Sequence, residues 1–138
     1  MDKASVEIAA ADKLIDALDR YKTCFDAMVL ANLDVALYED VGACLADIRE
    51  AKGVIFSQVA SASVDFVMAH TSLMTSLWNA QLSRIRGDKV PYFDAHNETM
   101  RAEHDEAIEQ LRAACERVRK GRRVPTAPRP SPPPDAGR

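Results

Sequence analysis

Three histidines, His70, His96 and His104, are the side chains of this chain best suited to metal binding or proton transfer at neutral pH. A helix places two metal ligands on one face when they are three or four residues apart. His96 and His104 are eight residues apart, His70 has no histidine near it in sequence, and no Glu-x-x-His pair occurs. We therefore predict no metal site, and we interpret His104, which falls in a row of apolar residues, as a hydrogen-bonded core histidine.

Motifs for covalent or nucleotide chemistry are also absent from the sequence. None of the five glycines belongs to a Gly-x-Ser-x-Gly motif, a phosphate-binding loop or a dinucleotide fingerprint. The cysteines, Cys24, Cys44 and Cys115, are separated by 20 and 71 residues, which fits no zinc-ligand or redox pair. We interpret them as reduced, small core residues. The sequence thus predicts no catalytic residue, no cofactor and no enzymatic activity.

His70 nevertheless leaves one catalytic alternative open. It lies in a helical stretch between Ala69 and Thr71, and in this respect and in length the chain resembles four-helix phosphotransfer domains. In those domains a lysine and a small residue follow the histidine, whereas Thr71, Ser72 and Leu73 follow it here. The resemblance implies a phosphotransfer or sensor bundle as the third of three functional alternatives.

The elements that position these side chains are predicted to be long helices, because no proline occurs between Ser5 and Val90. The first turn is predicted at 38–42, a break near Gly53, a further turn at 86–89 and a last helix over 91–119 that Gly121 ends. In two rows, mostly apolar residues follow one another at steps of three and four, and both rows are predicted to face the core. The central helix is predicted to contribute Ile55, Val59, Phe66, Leu73 and Leu77 to the same core. The first row contains Leu14, Leu18, Tyr21, Phe25, Met28, Asn32 and Val35, and the second contains Phe93, Asn97, Met100, His104, Ala107, Leu111, Ala114 and Val118. The fold class predicted is all-α, an antiparallel bundle of three to four long helices over residues 1–119.

The central stretch, residues 53–83, contains a single formal charge, Asp65. Its small polar side chains recur at steps of three and four, so that one face of the helix could receive another helix without burying a charge. We call this face the neutral stripe and predict that it is an interaction site formed by Gln58, Ser61, Asp65, Ser72, Ser76, Asn79 and Ser83. Residues 66–83 are long enough to span a membrane, but eight of these eighteen residues are polar, so no transmembrane segment is predicted.

The last twenty residues differ sharply from the rest. Residues 1–118 contain 12 basic and 20 acidic residues, whereas residues 119–138 contain six basic residues and only Asp135 as an acid. The segment 124–138 also contains six prolines, which predicts a disordered, basic, proline-rich tail over 120–138. Arg122, Arg123, Pro125 and Pro128 have the spacing with which proline-rich segments enter protein grooves, and the arginines could equally contact an anionic surface. The acidic body is not expected to bind nucleic acid.

Together these features predict a non-enzymatic adaptor that forms a homo-oligomer or binds another helical protein through the neutral stripe, with the tail as a second contact. A cytoplasmic location is predicted, because the N-terminal residues lack the basic region and the apolar run of a secretory signal. In helix pattern and composition the chain also resembles the phasins, which cover polyester storage granules. That resemblance implies an amphipathic coat protein as the second alternative.

Overall fold

The computed structural model describes residues 2–88 and 91–123, and the side chains of all of these except 91–93, 122 and 123. Four helices occupy this part of the chain, and no strand occurs in it: α1 Lys3–Leu30, α2 Val35–Val54, α3 Phe56–Ile85 and α4 Pro91–Arg123. The predicted all-α bundle of long helices is therefore confirmed.

The turn between α1 and α2 lies at 31–34, so its prediction at 38–42 is wrong. Asn32 and Leu33 adopt left-handed backbone conformations, with φ of 56° and 62°, which ends α1. Asp34 then caps α2, because its side-chain oxygen accepts the backbone N–H groups of Ala36 and Leu37 at 2.9 and 3.2 Å. Gly42 lies inside α2, and Asn32 and Val35, predicted on the buried row, are exposed.

The break predicted near Gly53 occurs at Ile55, the single residue between α2 and α3. Its backbone leaves the helical region, with φ −122° and ψ 32°, while its side chain is fully buried beneath the bend. Tyr38, near the start of α2, contacts Trp78, far along α3, with ring centroids 6.4 Å apart. The chain therefore folds back at Ile55.

Contacts between side chains fix an up-down-up-down arrangement. α1 and α2 are antiparallel, with Arg20 Nη1 3.1 Å from Asp47 Oδ2. α1 and α4 are antiparallel as well, and a row of ion pairs joins them: Asp12–Arg119, Asp19–Arg112 and Lys22–Asp105. α3 packs closely along α4, whereas α2 contacts α3 far less than it contacts α1. The bundle thus has one loosely packed side, between α2 and α3.

Both predicted core rows are largely confirmed. Leu14, Leu18, Tyr21, Phe25 and Met28 of α1 are buried, and the α4 row from Asn97 to Val118 is buried apart from the half-buried Met100. In α3, the predicted core residues Ile55, Val59, Phe66 and Leu73 are buried and Leu77 is half-buried. Gly121 does not end α4, which continues to Arg123.

Candidate functional site

A polar cluster in which Tyr21 and His104 are buried and His70 is half-buried joins three helices of the core. The hydroxyl oxygen of Tyr21 in α1 lies 2.7 Å from Nδ1 of His70 in α3 and 2.6 Å from Nε2 of His104 in α4. Phe25 and Phe66 surround it, with ring centroids 4.6 Å and 6.4 Å from that of His104. We call Tyr21, His70 and His104 the core triad. The interpretation of His104 as a hydrogen-bonded core histidine is confirmed.

A phenol has one proton, so the Tyr21 hydroxyl donates to one histidine and accepts the N–H of the other. Which histidine is the donor depends on the imidazole tautomers. A single phenol group thereby satisfies one ring nitrogen of each histidine.

Burial keeps all three groups uncharged. It lowers the pKa of His104 from 6.5 to about 4 and also lowers that of His70, because an imidazolium loses its hydration in the apolar core. It raises the pKa of Tyr21, and the nearby carboxylates Asp26 and Asp105 raise it further. At neutral pH the core triad is therefore a set of neutral hydrogen bonds.

The distances within the core triad are those of hydrogen bonds. Ligands of a metal ion at bond lengths near 2.0 Å are separated by roughly 3 Å or more, which exceeds both distances to the Tyr21 oxygen. The described part of the chain also contains no cluster of three or more His, Cys, Asp or Glu side chains that could hold a metal ion. The geometry therefore assigns the core triad a structural role, although the sequence did not indicate that His70 and His104 meet.

The neutral stripe lies along the edge of α3 that borders α4. Ser76 and Ser83 are buried there, and the Ser76 hydroxyl donates a hydrogen bond to the side-chain oxygen of Asn97 in α4. The other members of the stripe are exposed: Gln58, Ser61, Asp65, Ser72 and Asn79. Part of the stripe thus already receives a helix, and that helix is α4 of the same chain.

A second exposed face of α3 carries large apolar side chains. We call it the outer row and define it as Val64, Val67, Thr71, Trp78, Leu82 and Ile85. Its five apolar members leave between 38% and 72% of their surface exposed, and Thr71 is exposed as well. At 100° per residue the six positions fall within a strip about 60° wide. A different face of α3, with Ser76, contacts α4, whereas Trp78 of the row contacts Tyr38 of α2, the helix that packs loosely on α3.

Sequence reasoning missed the outer row, although a signal for it was present. Val64, Thr71, Trp78 and Ile85 are spaced by seven residues, with Val67 and Leu82 between them. With Val64 at heptad position a, Thr71, Trp78 and Ile85 are also at a, Val67 is at d and Leu82 is at e, so the row is an apolar helical stripe of mixed heptad positions. The signal was obscured because α3 is apolar on several faces, so that only the packing of α1, α2 and α4 shows which face remains uncovered.

The three cysteines are free thiols, with Cys44 and Cys115 buried and Cys24 half-buried. Burial raises the pKa of Cys44, whose thiol contacts that of Cys24, and it raises the pKa of Cys115 to about 11. At neutral pH Cys44 and Cys115 stay protonated and are poor nucleophiles.

Most of the predicted tail lies outside the described residues. The structure includes the backbone of Arg122 and Arg123 at the end of α4, whereas their side chains and residues 124–138, with Pro125 and Pro128, are outside it. The tail contact therefore stays a prediction.

Comparison with known proteins gives no relative: no family model matches the chain, and neither curated proteins nor solved structures show a significant match. Among the described helices, none contains a stretch that is both long and apolar enough to cross a membrane.

Proposed function

We propose that this chain is a non-enzymatic, cytoplasmic adaptor that associates with itself through α3, and that the outer row forms the centre of the interface. The observation that carries the proposal is the exposure of Val64, Val67, Trp78, Leu82 and Ile85 on one face of a helix that has no charge on that face. An exposed apolar stripe on a long helix is a surface that the apolar face of a partner helix can cover.

The size of the outer row supports this proposal. Side chains that leave about half of their surface exposed together present a patch on the order of a few hundred Å², which is the size of the largest apolar patch on a typical monomer, and such patches are often functional. Full burial of one such side chain contributes roughly 1.5–3 kcal/mol. Burial of a few such side chains therefore offsets the entropy cost of binding and leaves enough free energy for a specific association.

The bundle behind the row supports it as well. α3 packs along its length on α4, and Phe66 and Leu73 anchor it in the core. The core triad ties α3 to α1 and α4 through hydrogen bonds of 2.6–2.7 Å. The outer row is therefore presented on a rigid helix, which lowers the ordering cost of an interface.

Two further surfaces belong to the proposal as secondary contacts. The exposed residues of the neutral stripe, among them Ser61, Asp65 and Ser72, flank the outer row and give it an uncharged border on that side apart from Asp65. The arginines and prolines of the tail would contact a protein groove or an anionic surface. Both remain predictions from the sequence.

A matched pair of charge substitutions tests the proposal. We expect Val67→Glu, in the outer row, to weaken self-association by at least about 100-fold, because a carboxylate would have to lose its hydration in an apolar interface. Ser72→Glu, on the exposed part of the neutral stripe, places the same charge on the same helix at the border of the interface, where it keeps its hydration, and should weaken association far less. The molar mass by light scattering over a concentration series measures both, and circular dichroism checks that the helices are retained.

Other outcomes would assign the interface elsewhere. Loss of association in Ser72→Glu but not in Val67→Glu would move the interface to the neutral stripe. A wild-type chain that stays monomeric and instead adsorbs to polyester or lipid surfaces would contradict self-association and favour the coat-protein alternative.

A further inference from the structure

The outer row has a symmetric spacing along α3. Its members, Val64, Val67, Thr71, Trp78, Leu82 and Ile85, are separated by steps of three, four, seven, four and three residues. The same series is read from either end, with its midpoint between Met74 and Thr75. When a second α3 helix runs in the opposite direction beside the first, each residue of the row therefore lies opposite another residue of the row.

We propose that the partner of the outer row is the outer row of a second copy of this chain, running antiparallel, with the twofold axis between Met74 and Thr75. This inference rests on the proposed function, since it names the partner and the register of the same surface. In this register Val64 of one protomer meets Ile85 of its partner, Val67 meets Leu82, and Thr71 meets Trp78.

The side chains that meet in this register complement each other in size. The indole of Trp78, the largest side chain of the row, lies opposite Thr71, the smallest, on both sides of the axis. At the ends, Val64 and Val67 meet the longer side chains Ile85 and Leu82. Alternation of large and small side chains across facing positions is what close packing between helices requires.

The twofold symmetry also sets the size of the assembly. Because a twofold interface uses the same patch on both protomers, it closes at a dimer. Arg84 and Arg86 at the end of α3 are paired with Asp94 and Asp88 of their own chain, so the register rests on spacing and side-chain size.

Disulfide crosslinking in the full-length chain tests this register. With Cys24→Ser as the background, Thr75→Cys lies beside the twofold axis and should crosslink to its own counterpart under mild oxidation. Val64→Cys should not crosslink to itself, because about 30 Å of helix separates position 64 from its counterpart in the antiparallel register at 1.5 Å per residue. It should crosslink when mixed with an Ile85→Cys chain. Ser72→Cys, exposed on the neutral stripe, is the matched control and should stay uncrosslinked.

The outcomes separate this inference from the proposed function. Molar mass measured under reducing conditions shows first whether each variant associates at all. Association together with ready self-crosslinking of Val64→Cys overturns the antiparallel register in favour of a parallel one and leaves the proposed function intact. Association with crosslinking only through Ser72→Cys overturns the outer row as the interface. Absence of association in every variant and in the wild type overturns both.

Discussion

Lowering the pH from 7 to 4.5 is expected to destabilise this protein by about 2–3 kcal/mol through His104 alone, with a further loss through His70. Burial lowers the pKa of His104 from 6.5 to about 4 in the folded chain. The unfolded chain therefore takes up the proton first as the pH falls. The stability that the neutral imidazole contributes is fully present above pH 6.5 and is lost progressively as the pH falls towards 4.

The groups that face the histidines determine how far this loss extends. Asp105 and Asp26 favour the protonated form of His104, whereas Lys22 and His70 oppose it, and desolvation outweighs all four. Urea unfolding at pH 7, 6, 5 and 4.5 measures the effect. His104→Gln retains a hydrogen-bonding side chain but does not titrate, so its stability should depend less on pH in this range.

His96→Gln is the comparison for the pH experiment, because it removes the one histidine outside the core triad, so the difference between its profile and that of His104→Gln isolates the contribution of the triad. If His104→Gln fails to fold, His70→Gln tests the same point with a smaller expected flattening. Identical profiles for the wild type and for both triad variants would contradict the assignment of neutral, buried histidines.

The second large effect is expected from Tyr21→Phe, which removes only the hydroxyl group at the centre of the core triad. Nε2 of the buried His104 and Nδ1 of the half-buried His70 would both lose their partner. An unsatisfied polar group in a core costs about 1–3 kcal/mol, so we expect a loss of about 2–4 kcal/mol in the free energy of unfolding at pH 7.

Tyr38→Phe is the matched control for this substitution. Tyr38 is exposed and contacts Trp78 through its ring, so removal of its hydroxyl should change the free energy of unfolding by less than about 0.5 kcal/mol. Urea denaturation of the two variants gives the comparison. A Tyr21→Phe chain as stable as Tyr38→Phe would show that the triad hydrogen bonds contribute little to the fold.

Much of the fold could be predicted from the sequence, because apolar residues recur with a clear helical period in α1 and α4. The row from Leu14 to Met28 and the row from Asn97 to Val118 predicted the buried faces of α1 and α4. The first turn was misplaced because Asn32 and Val35 extend the same period beyond the end of α1. The left-handed backbone at Asn32 and Leu33 and the cap from Asp34 stop the helix there, whereas Gly42 is tolerated inside α2.

The site was less predictable, because it depends on how helices far apart in sequence align. His70 and His104 meet only through the register of α3 against α4, and Tyr21 joins them through the register of α1. Likewise, the neutral stripe and the outer row are both uncharged apart from Asp65. The packing of Ser76 and Ser83 against α4 is what leaves the apolar face of α3 outward.

The fluorescence of Trp78 tests the central claim, that the outer row is covered on self-association, most directly. Trp78 is the only tryptophan of the chain and lies within the row, where it is 38% exposed and its indole also contacts Tyr38 of α2, so its emission reports on this surface as long as α2 stays in place. On dilution we expect the emission to shift to longer wavelength as the indole returns to water, in step with the fall in molar mass and without loss of helicity. The same dilution of Val67→Glu should leave the emission constant at the exposed value. A wild-type emission that stays constant while the molar mass falls would show that the protein associates through another surface.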